Sequence, residues 1–336
     1  GQTNSYIKVK SSLQALKDMA LLYRNNLDIK VVGITGSVGK TSTKETISYV
    51  LNKKYKVLKT EGNFNNEIGL PLTVFRLRDD DEVSVLEMGI SDFGEMDRLS
   101  KIAQPDISVI TNIGLCHLEN LKTRDGILKA KTEIFNNMKP DGIAILNGDD
   151  DKLITVDEVN GKKPERFGIN YKDGVYAKDI ENLGLSGTKF VISGLNCVDG
   201  CKDFEVTVPV PGHHMIYNAL AAACVGAALE LTSAQIADGI TDLKTISGRN
   251  NIIKTSKYTL IDDCYNANPV SMKASVDVLD MAIGRKVCIL GNMYELGENE
   301  KNLHYDVGQY IGTKNIDVLI TIGDLARHIA MGTDDY

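Results

Sequence analysis

The sequence has no uncharged apolar run approaching the ~18 residues that a membrane helix requires, and residues 1–10 contain no apolar signal core. Neither a membrane span nor a secretory leader is therefore expected, and the chain reads as a cytoplasmic protein without a membrane partner. Positive charge is also in deficit: 38 Lys+Arg against 45 Asp+Glu give a formal net charge of −7. With no local basic cluster to offset that balance, nucleic acid is excluded as a partner. Cysteine is sparse. Cys116, Cys197, Cys201, Cys224, Cys264 and Cys288 are scattered, and Cys197 and Cys201 have no second pair at zinc-ligand spacing. A disulfide framework is not expected, and the thiols suit a reducing compartment. No internal repeat of roughly 20–50 residues is present. What remains is ordinary globular composition, 43% hydrophobic and 25% charged over 336 residues, long enough for about two domains.

The order of patterns predicts an α/β fold. Residues 11–24 read as an amphipathic helix behind a Ser-Ser cap, with Leu13, Leu16, Ala20 and Tyr23 at helical spacing. A β-branched run at 29–34 leads through a Gly-rich turn into a helix at 41–51. Short apolar strands recur at 83–86, 107–110 and 143–146 with helical segments between them, the signature of a mostly parallel sheet covered on both faces. From 152 to 210 the alternating stretches 189–193 and 204–208 suggest an antiparallel elaboration. An alanine-rich helix follows at 218–231, then a further segment at 236–243. Strand-like runs restart after Ser247-Gly248-Arg249, at 259–261, 286–290 and 318–322, so a change of module is placed near 246.

The strongest chemical signal is Gly33-Ile-Thr-Gly36-Ser37-Val-Gly39-Lys40-Thr41, between a strand and a helix. Glycines let such a loop curl so that its N–H groups face one point, and the helix N-terminus adds its positive dipole end. Lys40 can reach the β/γ-phosphates of a nucleotide, and the Thr41 hydroxyl suits Mg2+. The spacing departs from the standard P-loop, which asks for glycine where Ile34 stands and lacks Gly36. Glu87 ends an apolar strand, where a parallel sheet gathers its ligands; it is either a metal carboxylate or half of an ion pair. His117 also lies beyond a strand end, as a metal ligand, an acid–base group or a hydrogen-bonded structural residue. Lys131 falls at the centre of the apolar stripe of a helix over 123–138, between Ile127/Leu128 and Ile134/Phe135, while Lys122 and Lys129 fall on the polar side. An unpaired buried ammonium is costly, so Lys131 either snorkels to the edge or has a special partner or modification. Asn63, Asn65 and Asn66 crowd a Gly-containing loop suited to turn formation or to holding substrate. Asp149-Asp150-Asp151 reads as a solvated turn.

These motifs together resemble the Mur ligase superfamily, and within it the members that add D-alanyl-D-alanine. The pieces are Thr35-Gly-Ser-Val-Gly-Lys-Thr41, Asn65-Asn-Glu-Ile-Gly-Leu-Pro71, Leu86-Glu-Met-Gly89, His117-Leu-Glu119, Ala130-Lys-Thr-Glu-Ile-Phe135, Asn218-Ala-Leu-Ala221, Ser247-Gly-Arg249, Asp262-Asp-Cys-Tyr-Asn-Ala-Asn-Pro269 and Gly291-Asn-Met-Tyr-Glu-Leu-Gly297. The resemblance implies a central P-loop ATP-binding domain over 11–246, a partial Rossmann-like domain over 247–336, and a remnant of a UDP-binding domain at 1–10. It also implies that part of the C-terminal domain lies outside this sequence. The implied activity is an ATP- and Mg2+-dependent amide ligation in cell-wall precursor synthesis. It would join UDP-N-acetylmuramoyl-tripeptide to D-alanyl-D-alanine through an acyl phosphate, in a monomer. By motif, Gly36, Ser37, Gly39 and Lys40 would hold phosphates, Thr41 and Glu87 a first Mg2+, and His117 with a carbamylated Lys131 a second. Asn218 would meet adenine, Arg249 the phosphates, Asp263 the ribose, and Asn65 and Asn66 the substrate. Met215 and Thr132 stand where relatives often carry Asn and Gly. Two other readings remain: a different ligase of the superfamily, such as a folylpolyglutamate synthase relative, and a P-loop nucleotide switch without an amine acceptor. The Asn-Asn-Glu and Tyr-Asn-Ala-Asn strings disfavour the first.

Overall fold

The computed structural model describes residues 6–334. Of the segment 1–10 assigned above to a preceding domain, residues 1–5 lie outside the described residues. Among those described, nine strands form one sheet in the order β2-β3-β1-β4-β5-β6-β7-β8-β9. They are β1 (Lys30–Thr35), β2 (Val57–Lys59), β3 (Val83–Glu87), β4 (Ile107–Ile110), β5 (Ile143–Asn147), β6 (Glu165–Gly168), β7 (Val175–Asn182), β8 (Thr188–Ser193) and β9 (Asp203–Val208). Pairing is parallel from β2 through to β7 and antiparallel across β7-β8-β9. The antiparallel elaboration therefore extends the parallel sheet. Strand order reverses at β1, which lies between β3 and β4, and this is where an open α/β sheet forms its ligand crevice.

Alternation along the strands builds a core on each face. Val32, Ile34, Val83, Val85, Ile107, Val109 and Ile145 point into one core, shared with α2 (Lys40–Leu51), α7 (His214–Ala228) and α8 (Ser233–Thr241). Val31, Leu86, Ile110, Ala144 and Leu146 point into the other, covered by α1 (Ser12–Asn25), α3 (Gly69–Val74), α4 (Glu95–Ala103), the short α5 (Leu118–Leu121) and α6 (Arg124–Thr132).

Three helical expectations need correction. In α1 the Ser11 side chain does cap Gln14 N–H, but Leu13 is exposed, and Lys17 and Arg24 are buried with Ala20. Both cations have found partners: Lys17 pairs with Glu67, and Arg24 donates to the carbonyls of Leu27, Ile29 and Ala103. The helix over 123–138 stops being α at Thr132 and tightens into a 3-10 segment, Glu133–Asn137. The alanine-rich helix begins at His214, one turn earlier than its composition suggested.

The later strands do not share one sheet among the described residues. β10 (Asn251–Lys254) pairs antiparallel with β11 (Thr259–Asp262), and β12 (Val287–Leu290) pairs parallel with β13 (Val318–Thr321). A third core, including Met272, Val276, Val307 and Ile329, gathers α9 (Pro269–Asp280), α10 (Glu300–Gly312) and α11 (Arg327–Asp334). No described helix is long and apolar enough to cross a membrane, and all six cysteines are free thiols.

Candidate active site

The loop from Gly36 to Gly39 links β1 to α2 at the sheet's switch point. Gly36 has φ 149°, and a Cβ there would lie 1.9 Å from Thr111 Oγ1, so only glycine fits. Gly39 enters α2 at φ 82° and offers no side-chain cap, which leaves the first-turn N–H groups of the helix for a ligand. The start of the loop is braced from behind. Ser37 N–H donates to the Asn112 carbonyl, Val38 N–H donates to Asn112 Oδ1, and Ser37 Oγ accepts from Gly114 N–H. Lys40 curls back so that Nζ donates to the Gly36 carbonyl at 2.8 Å. Burial lowers its pKa, against the pull of Glu87 and Cys116 and with a further push from Arg249.

Glu87, at the carboxyl end of β3, faces the loop. Its Oε1 accepts from the Thr41 hydroxyl at 3.2 Å and from Asn65 Nδ2 at 2.9 Å. Its Oε2 is buried without a hydrogen-bond partner. The nearest cation is Lys44 Nζ at 3.9 Å, itself buried and bonded to the Thr60 carbonyl at 2.7 Å and to Glu45 at 3.1 Å. An orphaned carboxylate oxygen beside a threonine hydroxyl and a nucleotide loop fits a hard cation that takes few protein ligands and completes its shell with phosphate and water. No group of three or more His, Cys, Asp or Glu side chains is placed to hold a metal among the described residues, so protein carboxylates and imidazoles alone do not form a cage. Asn66 is turned elsewhere, with Oδ1 capping Ile68 and Gly69 N–H.

Lys131 does not snorkel. It is 1% exposed, whereas Lys129 on the other side of α6 and Lys122, which ends α5, are exposed, and no hydrogen bond or ion pair engages its ammonium among the described residues. Burial, reinforced by the nearby Lys40 charge and only weakly opposed by Cys116, pulls its pKa down to about 7. His117 stands over the same cleft with φ 50° and its Nδ1 2.8 Å from a Glu295 carboxylate oxygen. Burial lowers its pKa; Glu295 opposes the shift, and Lys131 and Lys40 add to it.

Next to the loop lies a cavity of about 370 Å³, lined by Gly39, His214, Asn218, Arg249, Asp263 and Ser275 among others. Asn218 Oδ1 accepts from the Thr43 hydroxyl and Nδ2 donates to Met215 Sδ. Arg249 stacks on Tyr265, 4.2 Å from the ring centre. Asp263 accepts from Asn250 N–H and from the Ser275 hydroxyl, while Asp262 Oδ2 accepts from Gly248 N–H and so holds the Ser247-Gly248-Arg249 turn.

The sequence likenesses match this geometry in extent. Residues 34–226 match the Mur ligase middle domain, and residues 248–333 match the glutamate ligase domain of the Mur ligases. This chain belongs to the Mur ligase family. It is 39% identical to the UDP-N-acetylmuramoyl-tripeptide–D-alanyl-D-alanine ligase of Bacillus subtilis, over 98% of this chain and 71% of the relative. Among solved structures, MurF of Acinetobacter baumannii superposes with a TM-score of 0.91 at 33% identity, covering 98% of this chain and 71% of that one. MurF of Thermotoga maritima, solved in complex with ADP, superposes with a TM-score of 0.86 at 32% identity, covering 98% and 75%.

For a Mur ligase the site holds several side chains that sequence reasoning passed over. Lys44 follows Lys40 by one helical turn and so shares its face, a signal that was available. Asn112 had no such signal. Of the three aspartates only Asp151 is exposed; Asp149 and Asp150 are half-buried and engaged. Asp149 accepts from Ile169, Asn170 and Tyr171 N–H and from the Tyr217 hydroxyl. Burial pushes its carboxyl up, but those donors outweigh it and hold the pKa low. Asp150 accepts from Ile113 N–H, and Asp151 pairs with Arg124, so the turn ties β5 to the loop after β4 and to α6, and lines the cavity.

Proposed function

We propose that this Mur ligase uses ATP to join the free carboxylate of a UDP-N-acetylmuramoyl-tripeptide to the amine of D-alanyl-D-alanine, in peptidoglycan precursor synthesis. The carboxylate takes the γ-phosphoryl group to give an acyl phosphate and ADP. The amine then displaces inorganic phosphate to form the amide. Carboxylate and triphosphate repel one another, so the site must supply positive charge between them.

The observation that carries this reading is the phosphate loop facing the orphaned Glu87 Oε2, in a chain that resembles UDP-N-acetylmuramoyl-tripeptide–D-alanyl-D-alanine ligases along nearly its whole length. Lys40 and the first-turn amides of α2 hold the β/γ-phosphates, with Gly36, Ser37 and Gly39 shaping the loop. Thr41 and Glu87 would hold one Mg2+; His117 and a carbamylated Lys131 would hold a second. Bound there, the metal supplies charge neutralisation between donor carboxylate and triphosphate. Lys131 is suited to carbamylation because its amine is substantially neutral near pH 7, and only a neutral amine adds CO2. Asn218 contacts adenine, Asp263 the ribose and Arg249 the phosphates, in the 370 Å³ cavity. Asn65 orients Glu87 and meets the donor, with Asn66 fixing the loop that carries it. We read 11–246 as the ATP-binding domain and 247–336 as the C-terminal domain of a monomeric cytoplasmic enzyme.

Phosphate release tests the reading. A ligase requires ATP, the UDP-tripeptide and D-alanyl-D-alanine together, and release at the full rate without the dipeptide would point to a nucleotide switch instead.

A further inference from the structure

His117 and Glu295 meet across the cleft from two distant parts of the chain. His117 follows β4 beside the phosphate loop, and Glu295 belongs to the 291–297 turn after β12; His117 Nδ1 and a Glu295 oxygen are 2.8 Å apart. Both residues hold left-handed backbone, φ 50° and 60°. Non-glycine residues keep such conformations where the surroundings enforce them, and these outliers cluster at functional sites. Here the enforcement is visible. Met293 and Leu296, flanking Glu295, are buried, and Leu115 packs into the same core as both. Met293 N–H donates to Nε2 of fully buried His304, whose Nδ1 meets the Glu300 carbonyl at 2.7 Å. With one ring nitrogen accepting and the other facing a carbonyl, His304 is a neutral structural post under the turn. The turn is fixed at its base while the Glu295 carboxylate remains 62% exposed at the cleft.

The electrostatics of the cleft indicate a use for that carboxylate. The charge of Lys40 bears on His117, and that of Arg249 bears on Lys40. Such an array attracts phosphates and a donor carboxylate but repels a cation. An α-amino group has an ordinary pKa of about 7.7–8.0, so the acceptor dipeptide arrives largely as an ammonium ion. An exposed carboxylate on a braced turn at the rim is what such an ion requires.

We propose that Glu295 is the acceptor-binding carboxylate: it pairs with the ammonium group of the incoming amine, exchanging His117 for it, and orients it towards the acyl phosphate. This rests on the ligase reading above. In the step that follows, the C–N bond forms as the C–O bond to phosphate breaks. Phosphate leaves with the bonding electrons, and the ammonium gives up two protons, one to the departing phosphate and one to solvent.

The test compares the full-length ligase with its Glu295→Gln variant. Glutamine keeps the shape and removes the charge. We expect kcat/KM for D-alanyl-D-alanine to fall by about tenfold to a hundredfold, mainly through KM, the size of a lost hydrogen-bonded ion contact. Binding of a non-hydrolysable ATP analogue should stay within about twofold, which also reports intact folding. Hydroxylamine, a nucleophile that is neutral at pH 7, should be converted to the donor hydroxamate at the wild-type rate. Unchanged dipeptide kinetics would overturn the inference. So would a parallel loss of hydroxamate formation, because Glu295 would then serve the donor half of the reaction. Absence of hydroxamate with the wild-type enzyme would instead overturn the ligase reading, and this inference with it.

Discussion

Lys131 is a side chain whose burial makes a reaction possible. An ordinary lysine near pH 7 is almost wholly protonated, whereas Lys131, buried and pressed by the Lys40 charge, titrates at about 7. Its folded pKa lies below the unfolded one, so between about 7 and the ordinary 10.5 the unfolded chain binds more protons. Stability from this residue therefore rises with pH through that window, and the cost of burying it is largest at and below pH 7. Lys131→Met should raise stability of the nucleotide-free protein at pH 7 by on the order of 2 kcal/mol and flatten its rise toward pH 10. The same variant should lose ligase activity, and a short carboxylic acid in the buffer should restore part of it by replacing the carbamate. Thermal unfolding at pH 7 and pH 9, run beside turnover, checks both halves. Full activity in the variant would exclude Lys131 from the chemistry.

Elements are joined mainly by pairs that are distant in sequence. Glu67, in the loop before α3, accepts from Lys17 of α1 at 2.7 Å and from Arg98 of α4 at 2.6 Å. The Arg98 contact first, then Lys17, outweigh the burial that would raise its carboxyl and hold the pKa at about 2. A depressed carboxylate contributes stability that is fully present above its unfolded pKa and is lost as pH falls from about 4.5 to about 2. Glu67→Gln should therefore cost about 1–2 kcal/mol at pH 7, discounted for partial exposure, and almost nothing near pH 2. Urea unfolding across that range measures it, and a pH-independent difference would mean that packing, not charge, is lost. The same distances in sequence explain what was legible. The strands, the Gly36–Thr41 loop and the position of Lys131 are local patterns, set by alternation, glycine or helical spacing, and they could be read directly. The buried face of α1 could not, because the partner that admits Lys17 is 50 residues away and one of those that admit Arg24 is 79 residues away. Asp149 and the His117–Glu295 pair were hidden for the same reason.

At the scale of the whole molecule, the cavity proposed to hold the nucleotide is also a seam. Gly39 and Asn218 line it from the part of the chain that builds the nine-stranded sheet, and Arg249, Asp263 and Ser275 line it from the part after residue 246. The third core is built from the later part alone, apart from a contribution by Leu115. Two units that meet around an open cavity are expected to move relative to one another unless something bridges them. A nucleotide filling the cavity is such a bridge, and its binding free energy adds to the stability of the joined state. ATP with Mg2+ at about a hundred times its Kd should add about 2.7 kcal/mol and raise Tm accordingly. Arg249→Ala separates the bridge from the fold. Without nucleotide the variant loses little beyond its stacking on Tyr265, about 0.5–1 kcal/mol for an exposed pair. With nucleotide at the same concentration it should show less than half of the wild-type rise in Tm, because the later part has lost its cation on the phosphates. Differential scanning fluorimetry over a nucleotide titration decides the matter: an undiminished shift in Arg249→Ala would mean that ATP is held by the phosphate loop and Asn218 alone, and that the seam closes, if it closes, for another reason.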